Sequence, residues 1–399
     1  MAYRFGLVLA CLAGALLAAA PARGADIFAA NDAQLRSALS RARPGDHIHL
    51  GPGPFGGGFT AGIAGAAGRP IRISGPAPDK PATFASGGAE TLHLVRASYI
   101  ELENIHIVGA AGNGLNCDDG DIHDFSCHHI TIRHVRIDDV GQEDTANAVK
   151  LSGVSDFTIT DSVFQKWGEN GGCAIDCVGC KNGSIARCRF LPGRGSVAVQ
   201  FKGGSQAIAV RQCLFDNPAP RGVNVGGRTD LQYFRPKPRG FEARDITIEG
   251  NIFIGCEAAI AFPNTDGAAV CFNTIYLPQK WAFRILQETT RDDFTPSRSG
   301  LIANNIIVFK STQWLEGGIN IGPRTAPETF IFAGNAWYCL DDPAQSTPRL
   351  PSKEDSPLIG RDPLFTDPAK GDFSLQPASP AHGKGHTAAP ATQPASPPG

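Results

Sequence analysis

The most regular feature of the chain is a short in-out-in strand triplet with apolar flanks that returns along its length. It occurs at Val149-Lys150-Leu151, Ile175-Asp176-Cys177, Val199-Gln200-Phe201, Val223-Asn224-Val225, Ile260-Ala261-Phe262, Phe283-Arg284-Ile285 and Ile319-Asn320-Ile321, with central residues 26, 24, 24, 37, 23 and 36 positions apart. Side chains alternate in a strand, so the flanking residues of each triplet face one way and the central one the other. A second set of strands keeps step at Ile130-Thr131-Ile132, Phe157-Thr158-Ile159, Ile208-Ala209-Val210 and Ile246-Thr247-Ile248. Behind it come Ser162-Val163-Phe164, Cys188-Arg189-Phe190, Cys213-Leu214-Phe215 and Asn251-Ile252-Phe253. A period of about 24 residues with two longer insertions predicts a solenoid in which each coil adds one rung to continuous sheets. The expected fold is all-β, a parallel β-helix with coils over about 90–340. Leucine-rich repeats and propellers have comparable periods, but their leucine and Trp-Asp signatures are missing.

The two ends read differently. Between Asn31 and Arg43 the apolar positions Ala33, Leu35, Leu39 and Ala42 follow an Asn/Asp start and stop at Pro44-Gly45-Asp46. This predicts a short helix capping the open end of the stack, within an N-terminal cap over about 26–90. Gly360 to Pro377 reads as part of a C-terminal wrap over about 341–385, and 386–399 as a disordered Pro/Ala-rich tail. Residues 1–25 combine an early Arg4, an apolar run from Phe5 to Ala20 and small residues up to Ala25, which is the grammar of a secretory signal. A secreted or periplasmic protein is therefore expected. No segment reaches the roughly 18 uninterrupted apolar residues of a membrane span.

Stacking the triplets aligns their centres into an outward column of Lys150, Asp176, Gln200, Asn224, Ala261, Arg284 and Asn320. Two residues further lies a column containing Lys202, and four residues further one containing Arg228 and Glu288. The pairs Gly203-Gly204 and Gly226-Gly227 suggest backbone-level room for a ligand beside the two cations. Arg221, Arg235 and Arg239 fall on flanking turns, and Tyr233 could stack on a sugar ring. With a net charge of −2 nothing in the bulk charge calls for nucleic acid. The cationic, aromatic-edged groove suits an acidic linear polysaccharide, bound by a monomer. The candidate binding residues are Lys150, Asp176, Gln200, Asn224, Arg221, Tyr233, Arg235, Arg284 and Glu288.

Cys173, Cys177, Cys180 and Cys188 have the spacing of a zinc knot, of buried small side chains or of disulfides between coils. Cys188 and Cys213 occupy equivalent positions 25 residues apart. Rungs about 4.8 Å apart fall inside the Cα separation a disulfide accepts, so this pair is the expected bridge. His106, His123, His128, His129 and His134 cluster in sequence; His106, His129 and His134 sit beside second-strand positions, on a face other than the groove, and read as structural.

The whole pattern resembles the right-handed parallel β-helix proteins of the pectate lyase superfamily. The Lys202/Arg228 arrangement is similar to the polysaccharide lyases that act on alginate and on dermatan or chondroitin sulfate. The resemblance implies Lys202 as Brønsted base and Arg228 as acid, with calcium or another cation neutralising the uronate carboxylate. The family's Asn and two Glu ligands are not matched here. The candidates are Asp176 and Glu169, with the acidic loops at 118–121 and 143–144. Without calcium, Arg284, Asn224 and Gln200 would have to take that role. β-Elimination removes a C5 proton beside a carboxylate, so its charge must be offset and the lysine must be deprotonated. Nearby Arg228 and Arg221 are expected to lower the Lys202 pKa. A uronate C5-epimerase would share the proton abstraction. A glycoside hydrolase needs converging carboxylates, and the outward column has only Asp176. A non-catalytic carbohydrate-binding solenoid accounts for the repeat equally well.

Overall fold

The computed structural model describes residues 24–386 apart from 89, 144, 236, 238 and 239. Most of the expected leader and tail, and Arg239 and Asp144, lie outside the described residues.

All seven triplets fall in one parallel sheet and in register. Lys150 pairs with Asp176, Asp176 with Gln200, Gln200 with Asn224, Asn224 with Ala261, Ala261 with Arg284 and Arg284 with Asn320. The sheet begins earlier than the expected coils: Phe59–Ala61, Leu92–Val95 and Leu115–Asp118 form three further rungs below Val149–Ser152. Stacking therefore starts inside the stretch expected as a cap. The second and third strands of each coil build the other large sheet, so the chain winds as a parallel β-helix.

The turns leaving the ten-stranded sheet explain one departure from simple alternation. Gly153, Gly179 and Gly203 adopt φ of +66°, +62° and +64°, turning the chain three residues past the strand centre. Of the column expected four residues out, Val154, Cys180 and Thr265 point into the core and are fully buried. Arg228, Glu288 and Arg324 lie on longer connections and stay outside it.

Inside the coils, like stacks on like. Phe164, Phe190, Phe215 and Phe253 form a continuous stack with ring centroids 5.2, 4.6 and 4.5 Å apart. At the turn before these residues the side chains hydrogen-bond up the stack. Asn251, Asn273, Asn305 and Asn335 are fully buried. Asn273 Oδ1 accepts from the backbone N–H of Asn251 at 3.0 Å and its Nδ2 at 2.9 Å, and the pattern repeats up to Glu354, which closes the column.

Cys188 and Cys213 belong to this same column. Cys213 N–H donates to Asn251 Oδ1 at 2.9 Å, and Cys188 N–H points at Cys213 Sγ at 3.4 Å. Both are free thiols, as are all ten described cysteines, which corrects the expected disulfide. In-register parallel rungs keep their Cβ atoms at about the rung spacing of ~4.8 Å, beyond the roughly 3.5–4.5 Å that a disulfide needs. The four clustered cysteines share no centre either. Cys173 Sγ lies 3.4 Å from Gln200 Oε1, while Cys180 and Cys188 donate to the separate carbonyls of Leu151 and Ile159.

The helix Asp32–Arg41 is capped by Asn31, whose side chain accepts from Gln34 N–H, and it buries Leu35, Ala38 and Leu39. The C-terminal hairpin of Phe365–Asp367 and Asp372–Leu375 lays Phe365 and Phe373 on Ile252, Ile306, Val308 and Ala336. His106, His128, His129 and His134 lie in the other sheet, away from the ten-stranded face. Among the described residues no helix is long and apolar enough to cross a membrane.

Phe215→Ala opens a hole in the middle of the aromatic stack and should cost about 3–5 kcal/mol. Urea denaturation followed by circular dichroism measures this, and a midpoint unchanged from wild type contradicts the stack's role.

Candidate active site on the exposed sheet

Register alone brings three charges together. Lys150, Asp176 and Lys202 stand on consecutive rungs, and the Asp176 Oδ2 atom is bonded by the Lys150 ammonium and lies 3.4 Å from Lys202 Nζ. Asp176 is only 3% exposed, and its Oδ1 has no hydrogen-bond partner. Burial pushes this carboxyl toward the neutral form, but the two ammonium groups outweigh it and hold its pKa below the ordinary value. The reciprocal effect falls on Lys202. The charge of Asp176 raises the lysine pKa against the opposing effect of burial, so the lowering expected from neighbouring arginines does not occur.

The upper rungs continue the polar face. Gln200 Nε2 donates weakly to Gly226 O at 3.4 Å, and Asn224 is 1% exposed with an unpartnered Oδ1. Arg221 reaches Glu288 at 3.7 Å. Arg284 lies over the Trp281 ring at 4.6 Å and donates to Asn320 Oδ1 at 2.9 Å. Burial, then the neighbouring Arg221 charge, lowers the Arg284 pKa, evidence that the two guanidiniums share one field.

The insertion after Val225 lies beside Lys202 and is anchored twice. The buried Glu242 carboxylate accepts from Gly203 N–H at 2.8 Å, Thr229 N–H at 2.9 Å, Thr229 Oγ1 at 2.7 Å and Thr289 Oγ1 at 2.9 Å. Burial raises its pKa despite these bonds. The second anchor is Arg235, 2% exposed, whose guanidinium grips the fully buried Asp119 at 2.9 Å and Asp121 at 2.6 Å. Arg235 is thus a structural residue rather than a substrate ligand, because its charge is consumed beneath the loop. Between the anchors, Arg228 and Tyr233 face solvent, and Arg228 has no ion-pair partner among the described residues.

The glycine pairs serve the chain itself. A Cβ at Gly226 would collide with the Pro263 carbonyl, and one at Gly203 would come 2.7 Å from Val178 Cγ1. At Gly227 it would come 2.5 Å from Gln200 Nε2 and 3.4 Å from Lys202 Cβ and Cδ. The room expected for a ligand is filled by neighbouring protein atoms. The same contacts seat Gly227 on the Lys202 stem, with Arg228 the next residue along.

Below Lys150 the face opens into a groove of about 930 Å³ lined by Thr60, Glu90, Asn113, Glu143, Asn147 and Lys150, among others. Glu90 Oε1 accepts from Asn113 at 2.8 Å and Asn116 at 3.0 Å. His93 sits between Asp118 at 2.5 Å and Glu90 at 3.4 Å, and its hydrogen bond to Asp118 raises its pKa. Sequence reasoning missed this end, although Leu92-His93-Leu94 and Leu115-Asn116-Cys117 are triplets of the same kind.

Asp176 and Glu169, two of the residues expected to hold calcium, are committed to cations of the chain. Calcium takes about six to eight oxygen ligands, whereas Asp176 faces two ammonium groups and Glu169 is paired with Arg194 at 2.5 Å. In the acidic loop, Asp119 and Asp121 are committed to Arg235, and Asp118 to His93.

A family model described as "Right handed beta helix region" matches residues 122–276. The chain is a right-handed parallel β-helix. A search of the curated proteins finds no match. Among solved structures, an alginate lyase from Paenibacillus sp. str. FPU-7 aligns at a TM-score of 0.54 and 21% identity, covering 75% of this chain and 98% of that one. Pectate lyase Pel9A aligns at 0.53 and 12% identity, covering 75% and 79%. The PL6 family polysaccharide lyase Pedsa3628 from Pseudopedobacter saltans aligns at 0.53 and 13%, covering 88% and 96%. At these identities the likeness to this β-helix is one of fold.

Removing Asp119 leaves the buried Arg235 with only the exposed Asp121 as counter-charge, at a cost of up to about 3–5 kcal/mol. Asp119→Ala should therefore destabilise the β-helix by that amount in chemical denaturation and expose the 226–242 segment to limited proteolysis. An Arg235→Met, Asp119→Leu double variant should recover part of the loss.

Proposed function

We propose that this β-helix is an exported polysaccharide lyase that cleaves a uronate-containing polymer by β-elimination. The observation that carries the reading is the Lys150–Asp176–Lys202 array on consecutive rungs, flanked by Arg221 and Arg284 on the same face and by the solvent-facing Arg228. The fold shared with alginate and pectate lyases supports it.

In this reading Lys202 Nζ takes the C5 proton of the uronate. The C5–H electrons form the C4–C5 double bond as the C4–O4 bond breaks, and Arg228 supplies a proton to the departing oxygen. The substrate carboxylate is neutralised by fixed cations of the chain, with Lys150, Arg221 and Arg284 nearest in the sheet and Asn224 and Gln200 donating amide hydrogens. No step passes through calcium. Tyr233 is placed to stack on a neighbouring sugar ring, and the groove beyond Lys150 to hold further residues of the polymer. The protein acts as a monomer.

Asp176 tunes the base. Because its charge raises the Lys202 pKa, the free amine is scarce at neutral pH, and turnover should rise as the pH becomes alkaline.

Assayed against polyuronates and glycosaminoglycans, the protein should produce an unsaturated product absorbing at the ultraviolet edge, and Lys202→Ala and Arg228→Ala should each abolish it. No unsaturated product from any of these polymers sinks the proposal, and new reducing ends without unsaturation point to hydrolysis instead. Asp176→Asn removes the anion holding the proton on Lys202, so the rising limb of the pH–rate profile should move to lower pH. A merely structural Asp176 would lower the rate without moving that limb.

A further inference from the structure

A second cluster lies at the N-terminal edge of the other sheet, remote in sequence from the groove residues. The strand Asp26–Ala29 pairs in parallel with His47–Leu50, setting Asp26 directly opposite His47. His47 and His49 are two residues apart, so both imidazoles leave the same face. One ligating atom from each of Asp26, His47 and His49 falls within 4.8 Å of the others. His49 Nε2 is 2.7 Å from Asp26 Oδ1, and His47 Nδ1 is 4.0 Å from the same oxygen.

The surroundings are those of a prepared ligand set. The far nitrogen of His47, Nε2, is 2.7 Å from the buried Ser74 hydroxyl. A proton held on Nε2 by that hydroxyl leaves the Nδ1 lone pair facing Asp26. Such an outer hydrogen bond fixes tautomer and ring orientation in metal-binding histidines. Phe28 stacks on His49 at 4.8 Å and limits its rotation. Arg72, on the next rung opposite His47, is paired with Glu101 at 2.9 Å and Glu103 at 3.7 Å.

We infer that Asp26, His47 and His49 form a binding site for a borderline divalent transition-metal ion of the zinc class, which clips the first strand of the stack to the second. Two imidazoles and one carboxylate suit zinc, with bonds of roughly 2.0–2.2 Å and a remaining position for water, and disfavour an all-oxygen ion such as calcium. The ligands need only close by small side-chain rotations. The consequence is mechanical: among the described residues Asp26–Ala29 pairs only with His47–Leu50, and a metal bridging the two opposes fraying of that edge.

The test uses the protein without a polyhistidine tag, titrated with zinc chloride and, separately, calcium chloride. Calorimetry should show one zinc equivalent bound by the wild type. The affinity should fall about tenfold or more in His47→Gln and in His49→Gln. Zinc should raise the thermal midpoint of the wild type but not of either variant, and calcium should raise none through this site. Zinc-free circular dichroism and a cooperative unfolding transition show that each variant is folded, so the comparison rests on the zinc-induced shift of each midpoint and separates loss of ligand from loss of fold. Zinc binding that survives both substitutions, or a wild-type midpoint indifferent to zinc, overturns the inference. Neither result bears on the lyase reading, whose test requires no zinc.

Discussion

Every feature of this protein depends on parallel strands held in register from coil to coil. Once a residue lies over its counterpart in the next rung, side chains no longer act singly but as columns at about a 4.8 Å repeat. A column of phenylalanines becomes an aromatic stack, and a column of asparagines becomes a chain in which each carboxamide oxygen accepts from the backbone and side chain of the one before. The same rule places Asp176 between two lysines. A carboxylate buried to that degree is tolerable because its compensating charges arrive with the register rather than by a separate folding event.

Register also has a cost, which appears at the ends and the turns. The stack would expose an unpaired edge at its start, and the helix Asp32–Arg41 together with the strand Asp26–Ala29 occupies that end. Where the coil turns, left-handed glycines redirect the chain into the core, so only the strand itself and the inserted loop can present side chains to a ligand. This is why the working face is narrow, and why its exposed cation, Arg228, comes from an insertion.

That insertion shows how a regular scaffold acquires an irregular site. Its described residues Thr229 and Arg235 are held by two buried acidic centres, Glu242 and Asp119, which satisfy backbone donors and the Arg235 guanidinium beneath the surface. Stability is concentrated under the loop and the solvent-facing groups are left free. The arrangement seats Gly227, the residue before Arg228, beside the Lys202 stem.

Much of this was legible in the sequence, because a period is a property of the chain. Seven triplets with apolar flanks, recurring at about 24 residues with two longer insertions, determined the fold, the register and the membership of the outward column from Lys150 to Asn320. The capping helix was equally local, written in Asn31 and the 3.6-residue spacing behind it. What only the tertiary structure decided were quantities set by contacts between coils. Arg235 looked like a surface cation until it met Asp119 from more than a hundred residues away. Lys202 looked like a lysine depressed by arginines until its nearest charge proved to be Asp176. Cys188 and Cys213 lay at the right separation in rungs, but parallel Cβ vectors left them as stacked thiols. Spacing determines which residues share a column; the direction, burial and partner of each side chain depend on turns and insertions that carry no period.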